Sequence, residues 1–232
     1  MSASIAENLA AVRERIAEAA RRAGRAADAV RLLAVSKTKP AAAVLEAFQA
    51  GQRLFGENRV QEALAKMEET GPGPEWHLIG HLQSNKARLV PGRFAAVHSL
   101  DSDRLAGALQ RHAEAAGTVL PVLIQLNLEH EASKAGIADE AGLRRLVEYV
   151  RQFCPHLLLT GLMTIPPPDL GEVETRHLFA HVRTLHAGLA AEFGLGSAFC
   201  ELSMGMSHDF EWAIAEGSTM VRVGTAIFGE RP

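Results

Sequence analysis

The chain has 232 residues, of which 47% are hydrophobic and 22% are charged, and its formal net charge at pH 7 is −3. This length and composition predict a globular α/β protein with a large core, and the charge argues against a nucleic-acid partner. No apolar run has transmembrane length, and the first residues lack a signal-peptide h-region. The two cysteines, Cys154 and Cys200, lie far apart and fit a reducing compartment. We therefore expect a cytoplasmic protein with no membrane partner.

The amino-terminal segment, residues 4–22, is predicted to be a helix that precedes the first strand. Apolar residues recur there at intervals of three and four, at Ile5, Leu9, Val12, Ile16 and Ala19. Ser4 can cap its start and Gly24 can end it. Because it precedes the regular alternation of the rest of the chain, we expect it to pack outside the main repeat.

Eight short apolar segments follow, and each pair is separated by a helical pattern. The predicted strands are 32–35, 53–55, 76–79, 94–97, 119–128, 157–163, 199–202 and 220–223. Strands spaced by helices indicate a parallel sheet, and eight such units predict a closed (β/α)8 TIM barrel. A doubly wound open sheet is the alternative. No linker interrupts the pattern, so residues 1–232 are predicted to form a single domain.

Specific polar residues follow the carboxyl ends of all eight predicted strands. They include Lys37, Asn58, His81, His98, Asn127, Thr164, Ser203 to Ser207, and Arg222 to Thr225. In a barrel these ends converge on one face, where ligands bind. Individually such residues can be helix caps or turn residues, which is our interpretation of Ser84, Ser99 and Thr164. Asp101 or Ser102 is likewise predicted to cap the helix after the fourth strand. Eight coincident polar ends are harder to explain by capping alone and predict a binding site.

Lys37 stands at the end of the first predicted strand, where an apolar run gives way to a polar cluster and Pro40. Partial burial and the neighbouring Lys39 would both favour the neutral, nucleophilic amine. A solvated lysine at a strand end is the alternative interpretation, and spacing alone favours it.

The loops after the last two strands have the composition of a phosphate site. Ser203 to Ser207 and Val223 to Gly229 combine glycines, hydroxyls and free backbone N–H groups, and barrels often hold phosphate at this position. Two tight turns are the alternative. A lysine opposite a phosphate site predicts pyridoxal phosphate (PLP), which needs an amine, phosphate donors and a residue facing its pyridine nitrogen.

Arg222 is the candidate for the position facing the pyridine nitrogen. A guanidinium stays protonated and only donates, so the ring nitrogen would remain an unprotonated acceptor and the ring a weak electron sink. The alternative is that Arg222 forms an ion pair with Glu201 or Glu230.

Eight motifs in order make the sequence resemble the pyridoxal phosphate homeostasis protein family over nearly its whole length. They are Leu33–Lys39, Phe55–Glu62, His77–Lys86, His98–Ser102, Ser133–Gly136, Gly161–Thr164, Leu202–Asp209 and Val221–Gly229. The resemblance implies a barrel similar to the amino-terminal domain of alanine racemase, with the cofactor held as an imine on Lys37. It also implies that phosphate is held by Ser203, Ser207, Gly224 and Thr225, that Arg222 faces the pyridine nitrogen, and that Asn58 and His81 line the ring.

The same resemblance implies a carrier that buffers or delivers PLP inside the cell, with PLP-dependent apo-enzymes as recipients. Racemase or lyase activity is the alternative. A two-base racemase needs an acid or base on each face of the substrate. The only tyrosine, Tyr149, lies in a predicted outer helix, where it cannot act as the second acid or base. His81 could in principle take that role. Lys39, Lys86 and Lys134 are candidate secondary amine acceptors, and we expect a monomer.

A metalloenzyme is a third interpretation, because His177 and His181 are four residues apart on a predicted helix and His186 is near. The glutamate of an HExxH motif is absent between them. That helix is expected outside the barrel, so ordinary surface histidines are favoured.

Overall fold

The computed structural model of the chain describes residues 3–129 and 135–230. Eight parallel strands hydrogen-bond in sequence order and close into a barrel, since the first pairs with the last. The strands are β1 (Arg31–Val35), β2 (Leu54–Glu57), β3 (Glu75–Leu78), β4 (Ala96–Leu100), β5 (Leu120–Leu126), β6 (Leu157–Thr164), β7 (Glu201–Ser203) and β8 (Met220–Val223). The predicted (β/α)8 barrel is confirmed, and the open-sheet alternative is wrong.

The helices occupy the predicted intervals between strands, with differences at a few ends. They are α1 (Ile5–Arg22), α2 (Ala41–Gln49), α3 (Val60–Thr70), α4 (Asp103–Ala115), α5 (Glu140–Phe153), α6 (Glu172–Phe193), α7 (Phe210–Ala215) and α8 (Thr225–Phe228). A short 3₁₀ helix, Ser84–Leu89, stands where an α-helix was predicted between β3 and β4. The four-residue α8 was not predicted.

Two predicted caps are confirmed. Ser4 forms a reciprocal capping box with Glu7, and the Ser102 hydroxyl accepts from the N–H of Leu105. The cap interpretation of Ser99 and Thr164 is wrong, because Ser99 lies within β4 and Thr164 ends β6. Ser84 is the first residue of the 3₁₀ helix rather than its cap.

The main hydrophobic core lies between the barrel and the surrounding helices, as amphipathic helices on an all-parallel sheet require. A smaller cluster of Leu33, Val35, Ile79 and Met220 fills part of the barrel interior. Buried polar side chains share that interior, namely His77, His98 and Arg222. The barrel therefore has an apolar wall and a partly polar centre.

Helix α1 packs against α7 and α8, outside the repeating βα units. The Asn8 side-chain amide donates to the carbonyl of Ile227 at 2.9 Å, which ties the start of the chain to the last helix. The expectation that this helix packs outside the repeat is confirmed. In the described part of the chain, no helix is both long enough and apolar enough to cross a membrane.

Candidate functional site

Lys37 follows β1 at the carboxyl-terminal mouth of the barrel and is half-buried. The next residue, Thr38, has a φ of 65° and is the one non-glycine residue with a positive φ in the described part of the chain. This conformation is energetically unfavourable for a β-branched residue, so contacts with the surrounding structure must stabilise it. The turn that carries Lys37 is therefore imposed by its neighbours.

A buried ion cluster between β2 and α3 holds this turn. Lys66 Nζ lies 2.6 Å from Glu57 Oε1 and 2.8 Å from Glu62 Oε1, and it donates to the Ser36 carbonyl at 2.7 Å. The Ser36 hydroxyl donates to Glu57 Oε1, and the Thr38 N–H donates to Glu62 Oε1 at 2.6 Å. The residues on both sides of Lys37 are thus fixed to one lysine and two carboxylates.

The pKa values of the two carboxylates in this cluster are shifted in opposite directions. Burial raises the pKa of Glu57 and outweighs the hydrogen bonds from Lys66 and Ser36. Burial also acts to raise the pKa of Glu62, but the bonds from Lys66 and the Thr38 N–H outweigh it, so that pKa is lowered. Glu57 Oε2 is buried and has no hydrogen-bond partner among the described residues. Lys66 therefore compensates a carboxylate that is otherwise poorly solvated.

The two glycine-containing loops after β7 and β8 meet beside the end of β1. Gly224 lies against that strand so closely that a Cβ there would be 3.1 Å from the Val35 carbonyl oxygen. The Thr225 hydroxyl donates to the Ser207 hydroxyl at 3.1 Å, which brings the two loops together. The first N–H groups of α8 have no acceptor within the helix. Hydroxyls and backbone donors therefore collect beside Val35, the last residue of β1, which lies two residues before Lys37.

The loop after β7 is held by α7. Gly205 has a φ of 98°, and a Cβ there would lie 2.9 Å from the Phe210 Cα and 2.7 Å from the Ala213 Cβ. Asp209 is buried and accepts from the Met206 N–H at 2.5 Å. Burial raises the pKa of Asp209 despite that bond and the nearby Arg222. The loop backbone therefore lies directly on the helix, in a conformation that favours glycine.

Arg222 points from β8 into the barrel interior and is 3% exposed. Its guanidinium donates to the Ser203 carbonyl at 2.5 Å, the Ser203 hydroxyl at 2.8 Å and the Thr164 carbonyl at 2.8 Å. These bonds to described residues use three of its five N–H groups. Burial lowers the pKa of Arg222 to about 10, and the Asp209 carboxylate opposes that shift. The guanidinium stays charged at neutral pH and is a rigidly held donor.

The alternative ion-pair interpretation of Arg222 is not favoured by these contacts. Glu201 pairs with Arg31 at 2.5 Å, at the opposite mouth of the barrel. The carbonyl of Glu230 accepts from Lys39 Nζ at 2.7 Å on the surface.

Asn58 and His81 follow β2 and β3 in neighbouring loops. A Cβ on Gly80 would lie 2.3 Å from the Asn58 carbonyl oxygen, so the two loops touch through their backbones. Asn58 is half-buried, whereas the His81 side chain is 57% exposed and its Nδ1 lies 3.4 Å from Asp101 Oδ2. His81 lines a polar surface cavity of about 400 Å³ together with Gln83, Asp101 and Arg104. Of these two predicted ring-lining residues, His81 is the more peripheral.

Ser203 is set apart from the other predicted phosphate ligands. Its hydroxyl is fully buried and contacts both Arg222 and His98 Nδ1, the latter at 2.9 Å. Ser207, Gly224 and Thr225 lie at the mouth. Sequence reasoning also missed the interior role of His77, which stands in the predicted strand 76–79, and it placed His98 just after a strand rather than within β4. A histidine at an inward strand position was the available signal.

The other side chains considered from the sequence lie outside this site. Tyr149 lies on α5 in the outer layer, where its hydroxyl approaches α4 at Gly107, as expected. His177 and His181 are exposed on α6, and His186 stacks on Phe199. The described residues contain no group of three metal-binding side chains. Lys86 is half-buried in the 3₁₀ helix, and Lys134 lies outside the described residues.

Comparison with known proteins places the chain among relatives of the same length. Residues 8–232 match the family model described as alanine racemase, N-terminal domain. The pyridoxal phosphate homeostasis protein of Escherichia coli K12 is 48% identical over 231 residues, covering 98% of this chain and 97% of that one. The protein of the same name from Pseudomonas aeruginosa is 50% identical over 229 residues, covering 98% and 96%.

Solved structures agree with this relationship. PipY of Synechococcus elongatus PCC7942, with PLP bound, is 44% identical and has a TM-score of 0.86, covering 97% of this chain and all of that one. Alanine racemase from Bartonella henselae shares the fold at 17% identity and a TM-score of 0.65, and the match covers 98% of this chain and 60% of that enzyme. The chain belongs to the pyridoxal phosphate homeostasis protein family, which is built on the alanine racemase amino-terminal barrel.

Proposed function

We propose that this protein binds PLP through Lys37 and takes part in intracellular PLP homeostasis as a carrier. The observation that carries the proposal is the close approach of two loops at the β1–β8 seam. The turn bearing Lys37 follows one strand of the seam, and the Gly224 loop, in contact with Val35, follows the other. An amine and a set of phosphate donors are thus side by side.

The donor set at this mouth fits the chemistry of PLP. Lys37 supplies a half-buried primary amine, while Ser207, Gly224 and Thr225 offer hydroxyl and backbone donors that suit a phosphate. The absence of a Cβ at Gly224 lets the backbone approach an oxyanion closely. The relatives named for PLP homeostasis and the PLP-bound PipY support the same assignment.

When bound, PLP supplies an aldehyde for covalent attachment and a pyridine ring that acts as an electron sink. In this chain Arg222 is the group proposed to face the ring nitrogen. It donates and cannot accept, and its bonds to Ser203 and Thr164 fix its direction. A pyridine nitrogen that accepted from this guanidinium would stay unprotonated, which would weaken the electron sink. That arrangement favours retention of the cofactor over carbanion chemistry.

The remaining mouth residues are proposed to have simpler roles. Asn58, in the loop beside Gly80, is proposed to contact the ring edge, and His81 is proposed to form the outer wall of the ring site. The cluster of Lys66, Glu57 and Glu62 holds the turn from which Lys37 projects. Ser203 supports Arg222 from below rather than contacting phosphate.

The proposal is tested by borohydride reduction of the PLP-loaded protein and mass mapping of its peptides. We expect one pyridoxyl group on Lys37, and its loss in Lys37→Ala together with the visible absorption band of the Schiff base. Lys39→Ala is the matched control, because Lys39 lies two residues away and its amine contacts the Glu230 carbonyl. An unlabelled Lys37 in the wild-type protein would overturn the proposal. Label on Lys39, Lys86 or Lys134 in addition would support their role as secondary acceptors.

Racemase or lyase activity is the competing proposal for the same site. Incubation of the loaded protein with amino acids, followed by chiral analysis and carbonyl detection, distinguishes the two. We expect no turnover above that of free PLP, and turnover lost in Lys37→Ala would establish an enzyme. We further propose that the carrier is a cytoplasmic, single-domain monomer that passes PLP to PLP-dependent apo-enzymes. Reactivation of an apo-enzyme by a limiting amount of loaded carrier tests the transfer.

A further inference from the structure

A continuous row of polar side chains crosses the barrel interior from one mouth towards the other. Glu75 Oε1 lies 3.3 Å from His77 Nε2, and His77 Nδ1 lies 2.8 Å from His98 Nε2. His98 Nδ1 lies 2.9 Å from the Ser203 hydroxyl oxygen, which in turn lies 2.8 Å from Arg222 Nη1. We call these five residues the interior relay. It joins β3, β4, β7 and β8.

When His77 and His98 are both neutral, the two ends of the interior relay fix the direction of every bond between them. Arg222 can only donate, so the Ser203 oxygen accepts from it, and the ionised Glu75 can only accept, so His77 Nε2 carries the proton that faces it. His77 Nδ1 is then an acceptor, which requires a proton on His98 Nε2. His98 Nδ1 accepts in turn from the Ser203 hydroxyl. Among the arrangements with two neutral histidines, one satisfies all four contacts, and in it both rings are protonated on Nε2.

The reverse arrangement leaves one contact without a proton. If His98 carried its proton on Nδ1, a neutral His77 would have to donate from Nδ1, and its bare Nε2 would face the Glu75 carboxylate. Two acceptors would then oppose each other at 3.3 Å. Glu75 thus selects the direction of the hydrogen bonds in the interior relay, although it lies at the amino-terminal mouth, four side chains from Arg222.

We propose that Glu75, His77 and His98 are positioning residues that hold the Ser203 hydroxyl as an acceptor for Arg222 and so fix the guanidinium in the PLP site. The functional part of this inference rests on the proposed role of Arg222. Both histidines are buried, His98 completely, in a region that barrels usually fill with branched apolar side chains. Burying a row of hydrogen-bonded polar side chains costs more free energy than burying an apolar layer. In return, the hydrogen bonds fix the orientation of each side chain in the row.

The amino-terminal end of the row is accessible from solvent. A cavity of about 220 Å³ at that mouth is lined by Glu75, His77 and His98, and by the ion-paired Arg31 and Glu201. Glu75 is 49% exposed as a side chain, so it can be substituted without opening the core. Glu201 lies at the same mouth but contacts Arg31 and Thr219, outside the relay. Glu201→Gln is therefore a matched control for Glu75→Gln.

The tautomers are measured by ¹⁵N NMR of the histidine side chains in the cofactor-free protein at pH 7. We expect His77 and His98 to be neutral and protonated on Nε2 in the wild type. In Glu75→Gln the amide can donate as well as accept, so we expect both tautomers at His98, whereas Glu201→Gln retains one. A wild-type His98 that is charged or protonated on Nδ1 would overturn the relay, as would an unchanged His98 in Glu75→Gln.

The link to the site is measured by the PLP dissociation constant. We expect it to rise about threefold to tenfold in Glu75→Gln, the effect of one weakened hydrogen bond, and to stay within about twofold in Glu201→Gln. An unchanged constant in Glu75→Gln with altered tautomers would overturn the positioning role. If the wild type itself does not bind PLP, the proposed function fails, and the tautomer result still decides whether the relay exists.

Discussion

Lys66 Nζ lies 2.6 Å from Glu57 Oε1 in a buried ion pair between α3 and β2, directly beneath the turn that carries Lys37. Glu57 is fully buried and Lys66 is 7% exposed. Taking such a pair out of water is expensive, and breaking it leaves an uncompensated buried charge. The shape of the mouth therefore depends on α3, whose Lys66 and Glu62 hold the turn on either side of Lys37.

Lys66→Met is expected to lower the free energy of unfolding by about 3 to 5 kcal/mol, because Glu57 would keep its burial and lose its cation. Chemical denaturation measures this. Lys39→Met, which alters a lysine with a surface contact, is the control and should change stability by less than about 1 kcal/mol. In Lys66→Met/Glu57→Leu both charges are gone, and we expect much of the loss to be recovered. Equal losses in the single and double variants would contradict this account.

Ser207→Ala and Thr225→Val are each expected to raise the dissociation constant for PLP about tenfold or more, since each removes a hydroxyl donor to a charged phosphate. Binding of pyridoxal, which lacks the phosphate, should change by less than about twofold. Equilibrium dialysis with both ligands makes the comparison. Thr184→Val on α6, whose hydroxyl bonds its own helix, is the control. Equal effects on the two ligands would show that these hydroxyls do not hold phosphate.

Stability is expected to fall with acidification because of His98. Burial, followed by the electrostatic effects of His77, Arg222 and Arg31, holds the pKa of His98 well below the usual 6.5. Below about pH 6.5, His98 binds a proton in the unfolded chain but not in the native protein. The free energy of unfolding therefore declines by up to about 1.4 kcal/mol per pH unit. The stability gap between wild type and His98→Asn should therefore shrink from pH 7 to pH 5. A difference in unfolding free energy between wild type and His98→Asn that stays constant from pH 7 to pH 5 would contradict the prediction.

Gly205→Ala is expected to destabilise the protein by about 2 kcal/mol or more. The new Cβ would lie within 3 Å of Phe210 and Ala213 at a φ of 98°, so both sterics and backbone conformation oppose it. Gly188→Ala is the opposite case, because nothing lies within 4 Å of its Cβ position in the interior of α6. That substitution should stabilise by about 0.5 to 1 kcal/mol. Thermal unfolding of both variants provides the measurement.

Most of the fold was predictable because each βα unit carries a local signal. Apolar runs mark the strands, and Ser4 and Ser102 mark helix starts that the structure confirms. Errors occur where tertiary contacts override local pattern. β7 begins at Glu201 rather than Phe199, whose ring stacks on His186 in α6. β4 begins at Ala96 rather than Phe94.

The candidate site was predictable at its rim and less so beneath it. Lys37, Gly224 and Thr225 follow strands, and the order of strands in a barrel brings them together. Lys66 has the sequence context of an ordinary helix-surface lysine, and only the tertiary structure shows that it is buried against Glu57. The row from Glu75 to Arg222 joins residues far apart in sequence, so no local pattern reveals it.

The pairing of β1 with β8 also has a consequence for the order of synthesis. Lys37 leaves the ribosome well before Arg222 and the Gly224 loop, and the barrel seam joins them. A nascent or truncated chain that lacks the last strand has the amine without its surroundings. Cofactor retention is thus expected only in molecules whose first and last strands have met, which makes bound PLP a reporter of completed folding.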